Sequence, residues 1–187
     1  MEDFIRKHQL DPKEVIAIAF PELIRYNAIQ DKIETFALES LYVQYGKDYA
    51  NFSVSEFQIK PSFAEDIEID FLDLYGEEKM DRDFHLQVNE IAQSQENRSK
   101  RLNRIKDKRG MVNYLCLFFK VMEAKYPQWN SEEEKLKFYA TAYNCGYQKP
   151  KKEVNSFLAR RFFHTGLSSM STKYCYAEIS WYYYQQP

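Results

Sequence analysis

The chain has 187 residues, 44% hydrophobic and 29% charged, with a formal net charge of −2. That length suits one domain with a core of its own, and so small a charge excludes a whole-molecule field pulling it toward nucleic acid or a membrane surface. Five glycines, well under the roughly 7% average, disfavour the many turns of a β-sandwich or barrel, and no run of about 18 apolar residues marks a membrane span.

Asp11-Pro12-Lys13-Glu14 opens the first strong helix. Asp11 suits the N-cap, Pro12 the first helical position, and Glu14 the return position of a capping box. Val15 to Phe20 follow without a charge, which predicts a central, buried helix. Pro21 lacks an N–H, so this helix is expected to bend or end nearby, with Glu22 at or near its buried end. Asp31-Lys32-Ile33-Glu34 starts a second helix, running to Tyr45 and stopping at Gly46. Its apolar face carries Ile33, Phe36, Ala37, Leu41 and Tyr45, and Glu39 falls on the opposite, polar face.

Residues 47–62 carry no helical period and are expected to form loop or short strand. A stripe of Phe63, Ile67, Phe71 and Leu74 predicts a helix over 63–75. Residues 77–110 are highly charged, with Arg98, Lys100, Arg101, Arg104, Lys106, Lys108 and Arg109 clustered, and read as a solvated helix or connector inserted in the domain. Residues 111–126 form a strongly apolar helix ending before Pro127. Ser131 with Glu134 caps the next, through Leu136, Tyr139, Ala142 and Tyr143, and two more are expected at 151–163 and 171–184. The fold class expected is mainly α: one domain over 1–187, seven or eight helices, little or no sheet.

Cys116, Cys145 and Cys175 are odd in number and widely spaced, which suits buried thiols rather than a disulfide framework. His8, His85 and His164 are isolated, so neither a metal nor another cofactor is expected. Serine-hydrolase and phosphate-loop motifs are absent.

Three ordered segments carry a resemblance. Asp11-Pro12 leads through the apolar run to Glu22, eleven residues on. Ser55-Glu56-Phe57-Gln58-Ile59-Lys60-Pro61-Ser62-Phe63-Ala64 follows, and then Ala142-Tyr143-Asn144-Cys145-Gly146. Together they resemble the catalytic domain of soluble lytic transglycosylases and goose-type lysozymes, in the lysozyme-like superfamily. In that family the first segment ends in the single catalytic glutamate, the second lines the sugar cleft, and the Tyr of the third reaches the site. The departures are Leu23 for the serine after the glutamate, Ser55 for a glycine, and Glu56 for an apolar residue. An alternative alignment uses Glu39-Ser40, nineteen residues before Gln58, but Glu39 on a polar face would remain an ordinary carboxylate.

The resemblance implies cleavage of peptidoglycan glycan strands between N-acetylmuramic acid and N-acetylglucosamine. Glu22, with Glu39 the alternative, would be the general acid/base. A carboxyl can deliver a proton at neutral pH when burial raises its pKa. Most glycosidases add a second carboxylate; Glu56, Glu65 and Asp66 are available. In lytic transglycosylases the sugar's own 6-hydroxyl attacks instead, leaving a 1,6-anhydro end. Gln58, Tyr143, Asn144, Phe57 and Tyr26 are the candidate substrate contacts, with Asn144 suited to holding the turn toward Gly146. The two rivals are an inactive module that binds glycan, motivated by Leu23, Ser55 and Glu56, and a helical scaffold docking through residues 98–109. No nucleic-acid or membrane-inserted partner is expected. Met1-Glu2-Asp3-Phe4 opens no signal peptide, so a place in the periplasm or cell envelope implies a removed leader or a dedicated secretion route, whose partner the sequence does not name.

Overall fold

A computed structural model describes residues 1–25, 28–164 and 172–187, without the side chains of 28–36. Its described residues form ten α-helices: α1 Glu2–Lys7, α2 Pro12–Arg25, α3 Ala28–Tyr45, α4 Pro61–Tyr75, α5 Glu77–Phe84, α6 Gln95–Lys106, α7 Lys108–Lys125, α8 Glu132–Cys145, α9 Lys151–Phe157 and α10 Tyr176–Gln185. Strands β1 Arg161–Phe163 and β2 Tyr174–Cys175 pair antiparallel. The mainly helical character is as expected, with more and shorter helices than seven or eight. No described helix is long and apolar enough to cross a membrane.

The core surrounds α7, where Leu115, Cys116, Leu117, Phe118, Phe119, Val121 and Met122 are all buried. Helix α4 packs along it, α2 and α6 flank it, and α10 lies against α2 and α8. Much of the aromatic content is consumed here. Phe118 meets Phe63, Tyr139, Tyr143 and Tyr147 at ring-centroid distances between 5.5 and 6.5 Å, mostly edge to face, the arrangement that ring quadrupoles favour.

Capping explains several boundaries. Asp11 Oδ1 accepts the Lys13 amide at 2.7 Å, Ser94 Oγ the Asn97 amide at 3.1 Å, and Ser131 Oγ the Glu134 amide at 3.1 Å. Glu14 does not return to its cap. It is buried and pairs with Lys135 of α8 at 2.5 Å, tying the two helices together. Pro21 lies inside its helix, which ends shortly after it, at Arg25. The proline removes one bond, to the Ala17 carbonyl, while the tertiary contacts of α2 hold both flanks. The adjacent Ile18 carbonyl accepts the Tyr176 hydroxyl at 3.1 Å.

The expected solvated connector at 77–110 is corrected by Arg101, which is 0% exposed. Its Nη2 lies 2.7 Å from Glu68 Oε2, and Tyr42, Glu65, Arg104 and Tyr114 complete a buried polar network between α3, α4, α6 and α7. Arg98 donates to the Val43 and Gln44 carbonyls at 2.9 Å each, closing the end of α3. Charge here is turned inward, because a guanidinium can satisfy several acceptors at once. The expected helix at 151–163 stops at Phe157 and gives way to β1, and that at 171–184 begins only at Tyr176.

Candidate functional site

The segment between α3 and α4 makes a tight hairpin. Val54 and Ile59 exchange both backbone hydrogen bonds, at 2.9 and 3.1 Å. Closing that turn puts Ser55 at φ 62° and Gln58 at φ 53°, a region that side-chain-bearing residues rarely adopt. Ser55 therefore keeps the backbone shape that a glycine serves most easily. The Gln58 amide and its Nε2 both donate to the Ser55 carbonyl, at 3.0 and 2.8 Å.

This hairpin, the end of α2 and the end of α8 enclose a cavity of about 470 Å³. Glu22, Gln58, Tyr143 and Asn144 all line it. The three sequence segments thus meet at one place, although they are far apart in the chain. Glu39 is not there: it pairs with Lys106 at 2.8 Å on the face between α3 and α6. Tyr26 lies outside the described residues.

Glu22 is 3% exposed. Burial pushes its carboxyl above the ordinary range, opposed by the Arg25 charge, the Asn144 amide and the nearby Tyr176 hydroxyl. Asn144 Nδ2 approaches Oε1 at 3.4 Å. Arg25 Nη2 lies 2.5 Å from Oε2, yet not along a hydrogen-bonding direction, so this buried oxygen receives no aligned donor. Arg25 itself is held between the carboxylate and the face of Phe163, 4.8 Å from the ring centroid.

Two expected contacts need correction. The Phe57 ring is 1% exposed and belongs to the core, because the hairpin turns it inward. What it offers the site is its carbonyl, which accepts the Tyr143 hydroxyl at 2.7 Å. The Tyr143 donor is therefore committed to the hairpin backbone rather than to Glu22. Asn144, expected to hold the turn toward Gly146, is the residue of that segment that reaches Glu22.

Arg25, Tyr176 and Phe162 are not singled out by the sequence, whereas Asp66 is one of the second carboxylates it makes available. Asp66 lines the same cavity and pairs with Lys47 at 2.8 Å. Arg25 was readable as the i+3 neighbour of Glu22 on one helix. Tyr176 and Phe162 had no local signal, since only the packing of the C-terminal segment brings them here. Among the described residues no group of three or more His, Cys, Asp or Glu is gathered as for a metal ion. No protein-family model, no curated protein and no solved structure matches the chain.

Proposed function

We propose that this protein cleaves the glycan strand of peptidoglycan between N-acetylmuramic acid and N-acetylglucosamine, with Glu22 as general acid and then base. The observation that carries the reading is the meeting of Glu22, Gln58 and the Tyr143-Asn144 pair around one cavity, with Glu22 buried and one of its oxygens lacking an aligned donor. Burial raises the pKa of such a carboxyl against the opposing pull of Arg25, the direction that proton delivery to a glycosidic oxygen requires.

In this reading the bond from C1 to the leaving oxygen breaks as the Glu22 proton passes to that oxygen. The carboxylate formed then takes the proton of the sugar's 6-hydroxyl as O6 closes on C1, giving a 1,6-anhydro end. Arg25 steadies the ionised form between the two steps. Gln58 and Asn144 are donors at the cavity wall for sugar N-acetyl and hydroxyl oxygens. Such a role implies a route to the cell envelope.

A hydrolytic version has one observation in its favour, the second carboxylate, Asp66, on the same cavity. Mass spectrometry of soluble products from purified peptidoglycan separates the two. Anhydro-ended muropeptides released by wild type and by Glu39→Gln, but not by Glu22→Gln, support transglycosylation with Glu22 as the acid. Reducing ends abolished by Asp66→Asn mean attack by water instead. No release by wild type, with glycan binding retained in a pull-down, means an inactive binding module; loss only in Glu39→Gln overturns the assignment of the acid.

A further inference from the structure

A second cavity, of about 570 Å³, shares no residue with the one at Glu22. The C-terminal ends of α1 and α5 and the side of α7 enclose it. Its wall carries five permanent cations, Lys7, Lys79, Arg82, Arg109 and Lys120, against a single carboxylate, Asp83. In a chain whose net charge is −2, that is a strong local reversal of sign.

Several of these charges lack an acidic partner. The Lys7 ammonium makes no ion pair or hydrogen bond among the described residues. Lys79 lies over the Tyr75 ring at 4.1 Å and Arg109 over Phe4 at 5.2 Å, each meeting only an aromatic face. Arg82 pairs with Asp83 at 2.9 Å and Lys120 with Glu123 at 3.4 Å. His8 is clamped between Phe84, stacked at 4.4 Å, and the edge of Phe4 at 4.7 Å. Its Nε2 is buried and has no hydrogen-bond partner.

The C-terminal dipole ends of α1 and α5 offset part of this positive field, but the amides of His8, Gln9, His85 and Leu86 already bond the Ile5, Arg6, Asp81 and Met80 carbonyls, and five cations still face one carboxylate. We propose that the cavity binds a soluble anion carrying two or more phosphoryl groups, through Lys7, Lys79 and Arg109 with Arg82 as a further donor. One carboxylate would leave most of the cations unmatched. A short polyphosphate concentrates several charges, and phosphoryl oxygens suit the arginine fork. The volume suits a ligand larger than one oxyanion.

The test is calorimetric titration of the whole chain with sodium tripolyphosphate at physiological salt. Saturable one-to-one binding is expected. It should weaken about tenfold or more for each cation removed in Lys7→Met and Arg109→Met, as for loss of a charged hydrogen bond. Both side chains are exposed, so these variants leave the core untouched. Lys152→Met with Lys173→Met, exposed lysines elsewhere, should bind as wild type does. The His8 ring resonances should shift on binding in wild type. Absence of saturable binding overturns the proposal, as does equal weakening in the control pair, which would mean diffuse charge attraction. Adsorption to phosphatidylglycerol vesicles that tripolyphosphate does not displace assigns the surface to a lipid headgroup and overturns it too. Glycan cleavage is scored separately, so the two readings fail independently.

Discussion

Glu22 sits where two demands conflict. Burial favours its neutral form, and Arg25 at 2.5 Å favours its ionised form. Burial prevails, so the folded state holds this proton more tightly than the unfolded chain does. The contribution to stability is then full below the ordinary carboxylate range and declines as pH rises through the raised folded value. Glu22→Gln, neutral throughout, should melt above wild type at about pH 7.5 and lose that advantage at about pH 4; equal melting at both would show the carboxylate to be well solvated. The same variant should lower glycan cleavage by about a hundredfold or more, the contribution of a positioned acid. Arg25→Met removes the nearest opposing charge. It should carry the alkaline limb of the cleavage profile to higher pH, because the acid stays protonated longer. An unmoved limb would mean that another group sets it.

Helices α6 and α7 meet at a sharp corner, and that corner aims the buried network. Asp107 accepts the Arg109 and Gly110 amides at 2.9 and 3.0 Å, while a Cβ at Gly110 would run into the Arg104 backbone. Gly110→Ala should therefore destabilise by about 3 kcal/mol, the upper range for overpacking without room to relax. Arg101→Met leaves Glu68 buried without its closest cation. Chemical denaturation should register a loss of about 3–5 kcal/mol, the usual consequence of breaking a buried pair from one side. A loss under about 1 kcal/mol, the range of exposed pairs, would mean that water reaches the network. The caps of these elements, Ser94 and Asp107, emerge from the structure and were not read from the charged run. Nor was the inward turn of Arg101, because an arginine in a charged run has the same local pattern whether its partner is solvent or a glutamate thirty-three residues away.

Across the whole molecule, α2, α7, α8 and α10 share one packed interior, and the two tryptophans report from different sides of it: Trp129 between α7 and α8, Trp181 in α10. Unfolding followed by tryptophan fluorescence and by helical circular dichroism should give coincident curves, as for a cooperative single domain. Separate transitions would divide the chain into independent units.

Local chemistry alone determined the helical class, the caps at Asp11 and Ser131, and the apolar run that buries the residue after Pro21, since caps and hydrophobic period act within a turn or two of the chain. The three segments that make the cavity were also visible as separate patterns, and Glu22 was preferred over Glu39 from the character of its helix. Only the tertiary structure decided that they converge, that Phe57 offers a carbonyl instead of a ring, and that Arg25, Asp66 and Tyr176 join Glu22. Those contacts link residues up to more than 150 positions apart. Their geometry follows from how helices pack, which no local sequence window contains.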